Sequence, residues 1–348
     1  MANIFARSPY LIRIAEATQN GSKLELFLSA TTFSVSPQYT LSKLIPASNN
    51  IETLYDISPY IREYIRFASC SAGGNAAVTN PTTERVNVRV KRYKLVGSTY
   101  SPTATDPQVD YIAFDGYTYY EEGSNYDLGN YGLDEGNYYY WEGHGYAGQI
   151  RAITGASFTA KYTSFHTSPT VTSVSISSGT YDIPRVLGSN LEVGNKLEIL
   201  NSALAVQKTY YFYPQDECKY TPVIIDFVNK YGAWQREFFF KASNDTLSVE
   251  NTEYNLLQTD SFNYNTLEGQ RKVFNANGKK SIKVNTGWVY ENWNDVLKQI
   301  MLSERILIDN KPAKINSKST ELFKSINTKQ INYSLDFEFT YDVINSVI

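Results

Sequence analysis

Few residues of this 348-residue chain are of the types, at the spacings, that do chemistry. Gly143-His144-Gly145-Tyr146-Ala147-Gly148 has the G-x-G-x-x-G spacing of a dinucleotide fingerprint. That fingerprint works where a strand turns into a helix whose N-terminal amides meet a pyrophosphate. Here Gln149 to Lys161 is rich in Thr and β-branched residues, and no acidic residue follows at about twenty positions. We read the match as chance within a glycine-rich loop. The two histidines, His144 and His166, cannot supply a His-rich zinc site, and neither lies in an H-x-x-x-H or H-x-E context. No G-x-S-x-G elbow is present for Ser-His-Asp catalysis. Cys70 and Cys218 are far apart and outside ligand spacing, so they read as inert thiols. Asp115, Glu121, Glu122, Asp127, Asp134, Glu135 and Glu142 could in principle include a glycosidase pair, two carboxylates roughly 5 to 10 Å apart. Spacing in sequence cannot establish that separation, and a solvated loop face is the preferred reading. Asp127 and Asp134 do not follow the calcium-loop pattern. The expectation is no catalytic residue, no metal site and no cofactor.

Those carboxylates lie in residues 106–148, where ten tyrosines from Tyr111 to Tyr146 are interleaved with glycine. Glycine at this density opposes regular helix, yet the rings must be covered by something. A long loop of this kind is normally functional or ordered by a partner. Tyr119, Tyr120, Tyr138, Tyr139, Tyr140 and Trp141 are the expected anchors of an inter-subunit contact, because desolvated aromatics carry much of binding energy. A sugar- or receptor-binding platform and a self-packed loop are the alternatives.

The surrounding composition favours sheets. Tyr reaches 29 residues, and tyrosine and β-branched residues suit half-buried pleated surfaces. A formal net charge of −3 gives no basic field for nucleic acid. No apolar run is long enough for a signal peptide or a membrane span. Asn20-Gly-Ser and Asn244-Asp-Thr match the glycosylation pattern, which means little without a secretion signal.

Four regions are expected: an N-terminal β domain with one short helix (1–105), the Tyr/Gly-rich insertion (106–148), a central β domain (149–284) and a C-terminal helix-plus-strand platform (285–348). In the first, Leu24, Leu26 and Leu28 and then Val86, Val88 and Val90 alternate as strands do, and Ser58-Pro59 starts a helix with Ser58 as its cap. In the third, Val171 to Ile176, Tyr210 to Tyr213 and Val223 to Val228 read as strands. Asn229 to Gly232 reads as a hairpin turn returning through Trp234 to Phe240. Leu247 to Arg271 is polar with scattered Leu and aromatic residues, and gives no assignment. In the last, Val289, Trp293, Val296, Leu297, Ile300 and Met301 form a helical stripe, with Asn292, Lys298 and Gln299 off it. Asp309-Asn310-Lys311-Pro312 is a turn, and Ile331 to Tyr341 alternates strictly as a half-buried strand. Trp293, Phe337 and Phe339 are expected in a core. The whole is mainly β, with two or three β-sandwich-like domains.

Cys218-Lys219-Tyr220-Thr221-Pro222, Phe227 to Gln235, Phe239-Phe240-Lys241, the N-terminal Ser8-Pro9-Tyr10 followed by Lys23-Leu24-Glu25-Leu26, Ile57 to Tyr64, Asn285 to Trp288, Leu302 to Arg305 and Ile331 to Phe339 together resemble virion structural proteins of tailed phages of Bacteroidetes hosts. The likeness is to the neck and tail ring or hub proteins of crAss-like phages. It implies a non-enzymatic subunit repeated around the tail axis as six or twelve copies, beside neighbouring neck and tail proteins. It carries no catalytic residues. Such a ring joins one surface of a subunit to a different surface of the next. A receptor- or glycan-binding tail tip protein using the tyrosine-rich loop is the alternative.

Overall fold

The structure, a computed structural model, describes residues 2–46, 52–66, 78–79, 84–123, 139–217, 219–256, 267, 269–317 and 331–344. The chain is mainly β. It divides into two compact units: Met1–Asp216 with Val228–Arg236, and Glu217–Phe227 with Glu237–Ile348. The boundary expected after residue 284 falls inside a strand, and residues 108–114, assigned to the insertion, belong to the N-terminal sheet.

The first unit opens with β1 (Ala2–Phe5), β2 (Leu11–Ala15), β3 (Gly21–Ser29), β4 (Tyr39–Leu44) and β5 (Glu52–Asp56). Helix α1 (Ser58–Tyr64), β6 (Arg85–Val96), β7 (Thr99–Pro102) and β8 (Gln108–Phe114) follow. A six-stranded sheet runs β1-β8-β6-β3-β4, with β7 on the end of β6. Leu26 faces Val90 and Leu28 faces Val88 across the β3–β6 ladder, so the alternation of both strands points to one face. The β2–β5 ribbon and α1 cover that face, through Ile12, Ile14, Tyr55, Ile57 and Ile61. Ser58 does not cap α1. It lies inside the first turn and donates to the Ser8 carbonyl at 2.8 Å, while Asp56 accepts its amide at 3.0 Å. The outer face carries Arg89 opposite Asp110, joined by two hydrogen bonds of 2.8 Å.

The same unit continues with β9 (Tyr139–Trp141), β10 (Gln149–Thr154), β11 (Phe158–Ser164), β12 (Val171–Ile176), β13 (Gly179–Pro184), β14 (Asn195–Leu200) and β15 (Val206–Gln215). β10 pairs with β13, and a five-stranded sheet runs β12-β11-β14-β15-β9.

After β16 (Val223–Val228) and β17 (Trp234–Phe239), whose Val228 and Trp234–Arg236 belong to the first unit, the second unit is built on β18 (Asn244–Asn255), β19 (Arg271–Val289), α2 (Trp293–Leu302), β20 (Ile306–Ile308), β21 (Lys311–Ile315) and β22 (Ile331–Asp342). One seven-stranded sheet runs β17-β16-β20-β21-β22-β19-β18. Trp293, Val296, Leu297 and Ile300 of α2 bury against Val284, Leu335, Phe337 and Phe339. The Trp293 ring stacks on Tyr333 at 6.0 Å and meets the Phe239 edge at 5.9 Å. Trp293, Phe337 and Phe339 are thus core residues. Val289, read as the first helical position, closes β19 instead, and Gln299 is buried rather than off the stripe. Asp309 and Asn310 join β20 to β21 as a two-residue turn with φ of 47° and 63°, a conformation that Asp and Asn tolerate.

Phe337 is fully buried, so Phe337→Ala should cost about 3–5 kcal/mol, read as a lower urea midpoint. The hydrogen bonds from Arg89 hold the Asp110 carboxyl below its ordinary range, so its contribution to stability is present above the unfolded pKa and lost as pH falls through the folded one. Asp110→Asn should therefore be less stable than the parent at neutral pH. The gap should close when urea unfolding is repeated towards a pH of about 2.

Candidate assembly surfaces

The segments flanking the tyrosine-rich stretch are held by their own unit. Tyr119 sits in a cation–π contact under Lys230, whose ammonium is 4.5 Å from the ring and also pairs with Glu122. Tyr120 is fully exposed. Tyr139, half-buried, lies 6.0 Å from the Tyr213 ring, and Trp141 lies 6.2 Å from His144. Tyr138 falls outside the described residues. Tyr140 requires a correction as an interface anchor. It is 1% exposed, its hydroxyl donates to the Leu191 carbonyl at 2.5 Å, and burial pushes its pKa upward. A ring spent inside its own fold offers no side-chain surface to a partner. The glycine motif 143–148 leads into strand β10 rather than a helix, so no helical amide cluster follows it.

Beneath this region lies a buried ionic knot. The Arg151 guanidinium, 1% exposed, donates to Asp182 at 2.9 and 3.1 Å, to Glu84 at 2.5 Å and to the Gly232 carbonyl at 2.8 Å. Burial opposes the charge of Arg151, but the two carboxylates outweigh it and hold its pKa above the ordinary value. Gly232 occupies φ +72°, and a side chain there would meet the Asp115 and Gly116 backbone at 2.9 Å. The turn expected at Asn229–Gly232 forms, with Asn229 Oδ1 accepting the amides of Tyr231 and Ala233 at 3.0 and 3.1 Å. Every donor of this knot is directed at a partner in its own unit. It clamps segments of the unit together.

The residues that look outward belong to an element that sequence reading left unassigned. All twelve residues of β18 are exposed, on both faces. β18 ends the seven-stranded sheet and pairs with β19 alone among the described strands. β19 in turn pairs with β22 between Lys279 and Val289, so Glu250–Asn255 and Arg271–Asn277 continue as a two-stranded arm. Phe274, 74% exposed, is the extra residue at a bulge opposite Thr252 and Glu253, and its ring meets Tyr254 edge-on at 6.4 Å. Leu247 and Val249, 58% and 56% exposed, stand on the face shared with Ile282. Gly278, opposite Val249, leaves room for Leu247, which a side chain at 278 would meet at 2.9 Å. Val343, also half-exposed, borders the same glycine. Leu247 and Val249 thus lie exposed on the core face of the sheet, beside the Asp245–Lys280 ion pair. Lysines of β19 answer the acids of β18, with Lys280–Asp245 at 2.9 Å and Lys279–Glu250 at 3.0 Å.

No protein-family model, no curated protein and no solved structure matches this chain. Among the described residues, no helix is long and apolar enough to cross a membrane.

Tyr140→Ala should lower the urea unfolding free energy by about 3 kcal/mol, as large-to-small core changes do, whereas Tyr120→Ala should leave it unchanged. Equal effects from the two would overturn the division between inward and outward rings.

Proposed function

We propose that this chain is a non-enzymatic structural subunit of a bacteriophage virion that closes into a homo-oligomeric ring in the neck or tail. The observation that carries the reading is the β18–β19 arm. An isolated two-stranded ribbon is marginal in water, and this one keeps Tyr254 and Phe274 in solvent, while Leu247 and Val249 stay exposed on the part of β18 behind it. Such an element gains its stability by being covered. The resemblance of the segments around Phe227 to Gln235 and Ile331 to Phe339 to phage ring and hub proteins supports the same reading and supplies the setting, six or twelve copies about the tail axis. The tail-tip alternative rests on Tyr120, which stands free to stack on a sugar, while the burial of Tyr140 removes one ring from such a platform.

The test is the assembly state. Mass photometry and negative-stain imaging of the purified chain over a concentration series, and of the virion, should show closed rings of one copy number. Leu247→Ser with Val249→Ser should weaken ring formation by about tenfold or more without lowering the urea midpoint. A single copy per virion, or turnover of a saccharide or peptide substrate by the pure chain, would end this reading.

A further inference from the structure

Among the described strands, two ends of the larger sheets, β12 and β18, carry few of the devices that keep edges from pairing. Natural edges are blunted by short length, lysine, proline, bulges or burial. β1 and β17 are buried, β9 has three residues, β4 carries Lys43 and β7 ends in Pro102. β18 is twelve residues long and exposed throughout, without proline, glycine or lysine. β12, which ends the five-stranded sheet, reads Val-Thr-Ser-Val-Ser-Ile, carries no charge, and is exposed or half-exposed except at Ile176. Its Val171 is 58% exposed.

The free hydrogen-bonding positions of each edge follow from the ladders. Ser164 donates to the Thr170 carbonyl at 3.0 Å, so bonded pairs alternate along β11–β12 and leave the amides of Val171, Ser173 and Ser175 pointing outward. Leu256 donates to the Gln270 carbonyl at 2.8 Å, so Tyr254 is a bonded position and the amides of Glu253 and Asn255 point outward from β18. Charge then selects the partner. Two β18 strands laid together would bring Glu253 of both copies, together with the lysine-paired Asp245 and Glu250, onto one seam, and like charges across a pair are destabilising. β12 brings none.

We propose that β12 of one copy adds to the edge of β18 in the next copy, continuing the seven-stranded sheet across the subunit boundary by backbone pairing. The contact joins unlike surfaces, so every copy keeps one donor strand and one acceptor edge. This rests on the ring reading and specifies its junction.

Proline removes an outward amide while sparing the ladder behind it. Ser173→Pro spoils the donor and Glu253→Pro the acceptor. In sedimentation velocity, each variant alone should need at least about tenfold higher concentration than the parent to associate. An equimolar mixture should form dimers, since one intact donor and one intact acceptor remain. Ser173→Asp with Ser175→Asp, two exposed swaps that leave the backbone alone, should repeat the loss seen with Ser173→Pro. Circular dichroism of all variants should match the parent. Parent-like association of both proline variants would overturn the pairing and leave the ring reading standing. So would loss in Glu253→Pro with none in Ser173→Pro. A parent chain that stays monomeric at millimolar concentration also overturns the pairing, and copy number in the virion then decides the ring separately.

Discussion

An open β-sheet must end somewhere, and the amides and carbonyls on its last strand face away from the ladder that satisfies their neighbours. That constraint governs this molecule more than any side-chain constellation. The seven-stranded sheet has a well-covered middle, where α2 buries Trp293, Val296, Leu297 and Ile300 against β19 and β22. At its far end, among the described residues, all twelve residues of β18 are exposed. Leu247 and Val249 stand open to solvent there.

The first unit meets the opposite problem, charge in a dry place. A guanidinium removed from water is costly unless its donors are met, and losing one partner of such a group typically costs about 3–5 kcal/mol. Arg151 is met by Asp182, Glu84 and the Gly232 carbonyl, which tie together β10, β13, the start of β6 and the hairpin turn at 229–232. Gly232 is required twice, by its positive φ and by the backbone of Asp115 and Gly116 beside it. The knot fixes segments distant in sequence.

Much of the architecture could be read from the residues, and the failures have physical causes. Alternation found β3, β6 and β22 because buried residues alternate with less buried ones along much of each strand, and the stripe of α2 was legible for the same kind of reason. The arm escaped because burial is what writes a period into a sequence. Asn244-Asp-Thr-Leu-Ser-Val-Glu-Asn-Thr-Glu-Tyr-Asn is wet on both faces, so its strand character leaves little trace. Tyr140 was misjudged since a run of three tyrosines and a tryptophan does not say which ring turns inward. The backbone of β9, pairing in parallel with β15, decides it. Ser58 had the type and position of a cap, but the hydroxyl found a better acceptor in Ser8, brought near by the fold.

The division of the chain also bears on its synthesis. The first unit takes Val228–Arg236 from beyond the point where the second has begun, and that stretch supplies the Gly232 carbonyl to Arg151 and the Lys230 carbonyl to the Tyr117 amide. A nascent polypeptide halted at residue 216 thus lacks a piece of its own interior. The last segment of the N-terminal body is therefore synthesised after the second body has begun, and no single proteolytic cut divides the chain into two complete halves.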